Sequence, residues 1–424
     1  MPSVYFKTFG CQMNVADSDM LAQALYSQGY LPVEDACDAD LVVINTCSVR
    51  EHAEVRALAR ISEYCTFKKK HSTGQKIWVV GCMAQRLGNT LLKKIPGIDR
   101  VIGAKDIVLF VQELGHETTL TGPHFSSGGA GGRVSAFVPI MRGCNNFCSY
   151  CVVPALRGEE TSIPALRIIE DIRRLIENGT KEITLLGQNV NSYYDEDEAV
   201  DFSDLLTKLH ELQGLMRIRF TTSHPKDCTD KFIRTMAQLP KLCRHLHLPV
   251  QSGSSRILEE MNRGYDRETY RRRIEALRSA MPDIDITTDA MVGFPSETEQ
   301  DFNDTLSLFR EVRYTAAFMF AFSKRENTRA ADMVDTVSAE EKRARLAALI
   351  DLQTSITKEH YAAMINRPLE ILFLEQQRGK AKCWIGQDNG WKRALLACAD
   401  NIAGMILQVR AIRSSGMTLI VERT

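Results

Sequence analysis

Gly143-Cys144-Asn145-Asn146-Phe147-Cys148-Ser149-Tyr150-Cys151 places three cysteines within eight residues, spaced C-x-x-x-C-x-x-C, directly after the strand-like run Phe137-Val138-Pro139-Ile140-Met141-Arg142. Three soft thiolates on one short loop suit an iron-sulfur cluster. Three protein ligands for four irons leave one iron open to a substrate or cofactor, which a four-cysteine electron carrier does not offer. A zinc knuckle pairs C-x-x-C with a second such pair or with two histidines, and no such partner follows here. The loop also fixes the reading of the chain around it: a strand that ends in ligands belongs to a parallel sheet whose carboxyl edge carries the site.

Downstream, strand and helix patterns alternate to about residue 362. Strands are predicted at 137–142, 182–187, 216–221, 244–249, 284–291 and 315–321, and helices at 164–178, 202–213, 228–238, 266–280, 297–312 and 338–363. Six units fall short of an eight-fold barrel, so an open, partial (β/α)6 barrel is expected. Polar residues recur at the strand ends: Gly187-Gln188-Asn189, Thr222-Ser223-His224-Pro225, Gln251-Ser252-Gly253-Ser254 and Thr288-Asp289. Such groups suit hydrogen bonding to a bound cofactor, although Ser254 alone reads as a helix N-cap. His245 and His247 alternate along one strand and read as core or rim histidines.

Upstream, residues 1–114 also read as parallel α/β. Val4–Phe9, the fully apolar Leu41-Val42-Val43-Ile44-Asn45 and Lys76-Ile77-Trp78-Val79-Val80 are strands, with helices at 16–28, opened near Asp17 or Ser18, and at 50–65. Each strand runs into a cysteine, in Gly10-Cys11, Thr46-Cys47 and Gly81-Cys82. Repetition at one topological position predicts a second three-thiolate site, with Cys37 and Cys65 outside it. Gly128-Gly129-Ala130-Gly131-Gly132 is a flexible linker by composition. The expected organisation is an N-terminal α/β domain at 1–118, a linker at 119–134, the barrel at 135–364 and a small β-barrel at 365–424.

Short strands are predicted at 369–374, 380–385, 394–399, 406–412 and 418–421, separated by turn residues such as Asp388-Asn389-Gly390. Five strands in so short a span suggest a small barrel of the kind that binds oligonucleotides. Nine basic against five acidic residues give residues 366–424 a net charge of +4. With Trp384, Trp391, Lys392 and Arg393 close in sequence, RNA contact by stacking and phosphate pairing is the functional reading, and a solvated barrel surface is the plain one.

The full chain of 424 residues carries 53 Lys+Arg and 53 Asp+Glu, so any nucleic-acid role rests on local patches. A hydrophobic content of 44% supports a real core. No apolar run reaches spanning length and no signal segment opens the chain, so a cytoplasmic protein with no membrane association is expected. In a reducing compartment, twelve cysteines argue for metal ligation or buried thiols.

With Tyr150 as its aromatic, C-x-x-x-C-x-aromatic-C resembles the signature of the radical S-adenosylmethionine enzymes. Together with two three-cysteine sites, a partial barrel and a basic terminal barrel, the chain resembles the methylthiotransferases over nearly its full length. The stretches Phe9-Gly10-Cys11-Gln12-Met13-Asn14, Asn45-Thr46-Cys47-Ser48-Val49-Arg50-Glu51, Gly187-Gln188-Asn189-Val190-Asn191-Ser192-Tyr193, His247-Leu248-Pro249-Val250-Gln251-Ser252-Gly253-Ser254 and Val292-Gly293-Phe294-Pro295-Ser296-Glu297-Thr298 carry the likeness to the branch acting on isopentenyladenosine in tRNA. Residues 365–424 resemble that family's TRAM domain. Two positions depart from the pattern: Asn327 stands where a glycine is usual, and Ile163 where a basic residue is usual.

The resemblance implies two 4Fe-4S clusters, at Cys144, Cys148 and Cys151 and at Cys11, Cys47 and Cys82. It implies S-adenosylmethionine used twice per turnover, as radical source and as methyl donor. Tyr150, Gln188, Asn189, Ser223, Gln251, Ser252 and Asp289 are the expected cofactor contacts. The implied reaction adds a methylthio group to C2 of N6-isopentenyladenosine beside the anticodon, with an electron donor such as flavodoxin or ferredoxin, a sulfur donor and a monomeric enzyme. Methylthiolation of threonylcarbamoyladenosine in tRNA or of a ribosomal-protein aspartate is the rival within the chemistry. An iron-sulfur carrier or sensor with an RNA-binding tail is the rival outside it.

Overall fold

The computed structural model describes residues 1–48, 51–71, 74–115, 133–377, 379 and 382–424. The glycine-rich stretch 128–132, like Val49, Arg50, Arg378 and Lys380, lies outside them. The chain forms two compact units, Met1–Asn145 with Val152–Gly179 and Leu186–Gln188, and Asn146–Cys151 with Thr180–Leu185 and Asn189–Thr424.

In the first unit, β1 (Ser3–Thr8), β2 (Leu31–Pro32), β3 (Leu41–Thr46), β4 (Lys76–Gly81) and β5 (Arg100–Gly103) make one sheet in the order β2-β1-β3-β4-β5. Every pairing is parallel. The helices α1 (Gln12–Ser27), α2 (Glu51–Lys70), α3 (Cys82–Leu87), α4 (Asn89–Lys94) and α5 (Ile107–Glu113) cover both faces. The pleat of β3 shows this. Leu41 and Val43 pack with Met20, Leu21, Leu25 and Phe110, whereas Val42 and Ile44 pack with Ala57, Ile61, Met83 and Leu91. Each such side chain contributes about 1.5–3 kcal/mol against about 1 kcal/mol net for a hydrogen bond, so packing sets the register.

The helix predicted at 16–28 begins four residues earlier, and its N-cap is Cys11. Asp17 and Ser18 lie inside the helix and are buried. Asp17 is not needed as a cap because two arginines neutralise its carboxylate. The first unit continues with β6 (Ser135–Pro139), β7 (Met141–Arg142), α6 (Val153–Arg157), β8 (Thr161–Ser162) and α7 (Ala165–Glu177).

In the second unit, β9 (Glu182–Leu186) leads through the small hairpin β10 (Tyr194–Asp195) and β11 (Val200–Asp201) to α8 (Phe202–His210). There follow β12 (Arg217–Phe220), α9 (Asp230–Gln238), β13 (His245–His247), α10 (Ser255–Glu260), α11 (Arg267–Ala280), β14 (Asp285–Val292), α12 (Glu299–Val312), β15 (Ala316–Ala321), α13 (Arg329–Asp332) and α14 (Ala339–Ala362). β12 pairs parallel with β9, and β13, β14 and β15 pair parallel in that order. A parallel bridge from Ile218 to Leu242 joins the two sets. Along β14, Ile286, Thr288, Ala290 and Val292 are buried while Asp285, Thr287, Asp289 and Met291 are half-exposed. This alternation marks a strand with one face packed in the core and the other partly uncovered. α10 has no counterpart in the sequence reading; its N-cap is Ser254, as expected.

The chain ends in a closed barrel, β16 (Pro368–Gln376), β17 (Cys383–Gln387), β18 (Arg393–Ala397), β19 (Ile406–Ser415) and β20 (Thr418–Arg423), in the order β16-β17-β18-β20-β19. Its core gathers Ile371, Phe373, Trp384, Leu396, Val409 and Leu419, with Tyr361 from α14.

The turn Asp388-Asn389-Gly390-Trp391-Lys392 fixes this barrel against the first residues of the parallel strands. Arg219 donates to Glu182 Oε2 at 2.7 Å and to the Asp388 carbonyl at 2.7 Å. Arg217 donates to the Gln387 carbonyl at 2.7 Å. The ring of Trp391 meets His245 edge-on at 5.0 Å, with the Arg219 guanidinium 5.3 Å from its centre. Lys392 is buried and paired with Asp285. Gly390 is needed here, since a Cβ would lie 1.7 Å from Asp285 Oδ2.

Among the described residues, no helix is long and apolar enough to cross a membrane. Asn327 has φ 64°, the left-handed region that the family's glycine would favour, and asparagine is the side chain that tolerates it next best.

Candidate functional site

β1, β3 and β4 are neighbours in the sheet, about 4.8 Å apart, and the chain leaves their carboxyl ends through Cys11, Cys47 and Cys82. Adjacent parallel strands therefore bring together three thiols that are distant in sequence. Cys11 is exposed, and Cys47 and Cys82 are buried. Asn14 and Asn45 lock the first two loops to each other: Asn14 Nδ2 donates to Asn45 Oδ1 at 2.8 Å and to the Thr46 carbonyl at 3.0 Å. Cys11 Sγ donates to Asn14 Oδ1 at 3.2 Å.

Two glycines permit the approach. At Gly10 (φ +121°) a Cβ would stand 2.7 Å from the Cys47 Cβ, and at Gly81 (φ +97°) it would stand 2.6 Å from the Thr46 carbonyl oxygen. Gly81→Ala is expected to cost about 2–4 kcal/mol by adding left-handed strain to a backbone clash. Urea unfolding of the purified variant checks this, and an unchanged midpoint would contradict it.

Among the described residues, no three His, Cys, Asp or Glu side chains converge on a single metal ion. Ligands to a four-iron cluster each take a different iron corner and stand wider apart than ligands to one ion, so the three-thiol donor set fits a cluster. Burial pushes the Cys82 thiol up to about 11, with Arg157 pulling the other way. Cys37 is exposed, and Cys65 packs into the apolar layer under α2.

Of the C-x-x-x-C-x-x-C loop, Cys144 belongs to the first unit and Cys148 and Cys151 to the second. Cys144 N donates to the Gly158 carbonyl at 3.2 Å, and Gly143 (φ +76°) has room only for hydrogen, a Cβ being 1.9 Å from the Glu159 carbonyl oxygen. In the second unit, Ser149 N donates to the Met261 carbonyl and Asn262 Nδ2 to the Phe147 carbonyl. The buried Arg263 donates to Cys148 Sγ at 3.2 Å, to the Pro249 carbonyl at 3.1 Å and to the Tyr265 hydroxyl at 3.1 Å. Burial alone would weaken its charge, but Tyr150, Tyr265 and Cys148 hold the cation in place. Sequence reasoning missed Arg263, because its role depends on a loop more than 100 residues away in the chain.

Of the expected cofactor contacts, Gln188 Oε1, Asn189 Oδ1 and Ser223 Oγ are buried without a hydrogen-bond partner. An unpaired buried polar atom costs about 1–3 kcal/mol, so these atoms suit a bound polar group. Asn189 is oriented by Asp227, whose Oδ2 accepts from its Nδ2 at 2.7 Å. His224, in the strand-end stretch read as polar and suited to a cofactor, is placed beside them. Its Nδ1 accepts from Lys226 N at 3.3 Å and its buried Nε2 has no partner. Burial, then Arg263 and Lys226, lower its pKa to about 2, leaving a neutral ring with the proton on Nε2. Tyr150 packs against Ile257, Met261 and Phe294. Gln251 takes φ 68° and bonds through its backbone to Asp289 and Met291. Ser252 is a correction: it is fully buried and its Oγ lies 3.4 Å from Thr305 Oγ1 and accepts from Ser254 N, so it holds the turn rather than a ligand.

Asp289 lies on the half-exposed face of β14, its Oδ1 3.4 Å from His247 Nε2 and its backbone paired with Phe318. His245 and His247 both bond Thr287 Oγ1, confirming that they share one side. Next to them Phe318 is 53% exposed and Phe320 37%. Phe318 also meets the His247 ring edge-on at 6.0 Å, so this strand presents exposed aromatic surface beside the histidine. Period-two alternation put Phe318 and Phe320 on one face in the sequence, but nothing in it showed that face to be open.

The RNA contacts expected in the terminal barrel are corrected in part. Trp384 is 4% exposed inside the barrel core and presents no face to a base. Lys392 is buried against Asp285, and Trp391 packs between His245 and Arg219. Arg393 alone of the four is exposed.

The Radical SAM superfamily profile matches residues 138–309, and that of the uncharacterized protein family UPF0004 matches residues 3–103. The fold is similar to the radical S-adenosylmethionine methyltransferase TsrM from Kitasatospora setae, solved with cobalamin and a [4Fe-4S] cluster (TM-score 0.58, 15% identity, 78% of this chain and 77% of that one). A tRNA-2-methylthio-N(6)-dimethylallyladenosine synthase from Geotalea uraniireducens (strain Rf4) is 43% identical over 98% of this chain and 97% of its own. A protein of the same name from Geobacter sulfurreducens is 41% identical over 99% of this chain and 97% of its own. With that identity sustained from end to end, the chain belongs to the tRNA-2-methylthio-N(6)-dimethylallyladenosine synthase family of radical S-adenosylmethionine enzymes.

Proposed function

We propose that this tRNA methylthiotransferase attaches a methylthio group to C2 of N6-dimethylallyladenosine next to the anticodon. The observation that carries the reading is the set of three cysteines at the carboxyl ends of three adjacent strands, in a chain that also holds the radical loop. Superfamily membership implies one [4Fe-4S] cluster with S-adenosylmethionine. Our reading assigns that cluster to Cys144, Cys148 and Cys151, and a second to Cys11, Cys47 and Cys82. It divides the chain into a sulfur-handling domain at 1–118, a linker at 119–134, a radical core at 135–364 and a TRAM-type barrel at 365–424. When bound, these groups supply a carbon radical, needed because an aromatic C–H has no useful acidity, and an iron site for the incoming sulfur.

The chain's own residues prepare that chemistry. Arg263 fixes the Cys148 thiolate and keeps the loop electropositive. Gln188, Asn189, Ser223 and neutral His224 offer unpaired buried polar atoms to the cofactor. Phe318 and Phe320 offer the substrate base a stacking face beside His247 and Asp289. Phe318→Ala is expected to remove about 1–3 kcal/mol of stacking and so raise KM for tRNA roughly 5- to 150-fold at little changed kcat. Steady-state kinetics check this, and an unchanged KM would dismiss Phe318 as a base contact.

A cytoplasmic monomer supplied by a flavodoxin- or ferredoxin-type reductant and a sulfur donor completes the proposal. The test is mass spectrometry of tRNA nucleosides from a strain lacking this chain, with and without its restoration. Accumulation of dimethylallyladenosine, with its methylthio form returning on restoration, supports the reading. A change confined to threonylcarbamoyladenosine would transfer the substrate to the rival, and unchanged tRNA would point to a protein substrate or a carrier role.

A further inference from the structure

We propose that Arg157, clamped by Asp17 and Asn14, is the fixed cation that balances the charge of an iron-sulfur cluster at Cys11, Cys47 and Cys82. The inference rests on our assignment of those cysteines. Every residue in it lies in the first unit.

Asp17 is fully buried on α1, one turn from Cys11. Its Oδ1 accepts from Arg142 Nη1 at 2.6 Å and its Oδ2 from Arg157 Nη2 at 3.1 Å. Two guanidinium groups thus share one carboxylate, and one positive charge is left over in a buried place. That excess points at the thiols: Arg157 Nη2 also reaches Asn14 Oδ1 at 3.4 Å, the same oxygen that accepts from Cys11 Sγ at 3.2 Å. Leu156, its neighbour on α6, packs in one apolar cluster with Cys82.

A buried unbalanced cation is costly unless a counter-charge is present. A four-iron core held by three thiolates supplies one, because the thiolates together outweigh the core's positive charge. Arg157 accordingly acts as a positioning residue: it retains the cluster and, by stabilising the negative charge added on reduction, raises its reduction potential.

The test uses the full chain carrying Cys144→Ala, Cys148→Ala and Cys151→Ala, so that only the N-terminal cluster contributes signal after anaerobic reconstitution with iron and sulfide. Iron per chain, loss of iron to EDTA and EPR-monitored redox titration are read for this parent, Arg157→Gln, Arg157→Lys and Asp17→Asn. Arg157→Gln is expected to lower the midpoint potential and speed iron loss about 10-fold or more, with Arg157→Lys retaining part of both. Asp17→Asn, which removes a negative charge at the same place, is expected to shift the potential upward. Opposite signs are not produced by a merely structural role, and Asp17→Asn still decides the matter should Arg157→Gln fail to fold. Unchanged potentials in both variants, or shifts of one sign, overturn the proposal alone. A parent that binds no iron overturns the cysteine assignment and the proposal with it.

Discussion

Cys11→Ala is expected to cleave S-adenosylmethionine at the unaltered rate while sulfur insertion falls at least about 100-fold, beyond the loss typical of an outer-shell partner. Cys11 is the N-cap residue of α1, and its Sγ donates to Asn14 Oδ1 in the same loop. The cofactor-cleaving loop depends on other contacts, through Gly158, Met261, Asn262 and Arg263. Removing one thiol of the first set removes none of those contacts. The measurement is liquid chromatography with mass detection of 5′-deoxyadenosine and of methylthiolated nucleoside in one reaction. A parallel fall of both products would mean that the two sites are not separable in role.

Glu182→Ala carries the largest expected stability loss, about 3–5 kcal/mol. Glu182 is 1% exposed and Arg219 2% exposed, so the variant strands a guanidinium where water cannot reach it. Arg219 also ties the sheet to the Asp388 carbonyl of the terminal barrel and faces Trp391, so the loss extends beyond one ion pair. Thermal unfolding should shift down by roughly 3–6 °C, and Glu182→Gln, which retains one acceptor, should lose less. A shift under about 2 °C in Glu182→Ala would show that water enters the site and that the pair is not buried in solution.

The parallel strands and their cysteines were legible because their signals are local: continuous apolar runs, glycines before cysteines, and ligand spacing on one loop. The start of α1 was misplaced because Asp17 looks like a cap in isolation, and its true partners, Arg142 and Arg157, lie more than 120 residues away. Arg263 and the exposed Phe318 face escaped notice for the same reason, as each acquires its role from neighbours that only the fold supplies. Trp384 and Lys392 were misassigned because aromatic and basic residues in a small barrel look alike whether they face solvent or another surface. The family likeness covered the reaction but not the electrostatics behind it.

The loop from Asp388 to Lys392 seats two carbonyls on Arg219 of β12, its tryptophan on His245, which begins β13, and its lysine on Asp285, which begins β14. The terminal barrel therefore does not behave as an interchangeable cassette. A recombination event that joined another barrel to this core at residue 366 would strand Arg217, Arg219 and Asp285 without counterparts. A foreign barrel joins successfully only if its own loop reproduces those contacts or if the three core residues change with it. Loop and core positions should accordingly mutate as a group in descendants that retain both parts.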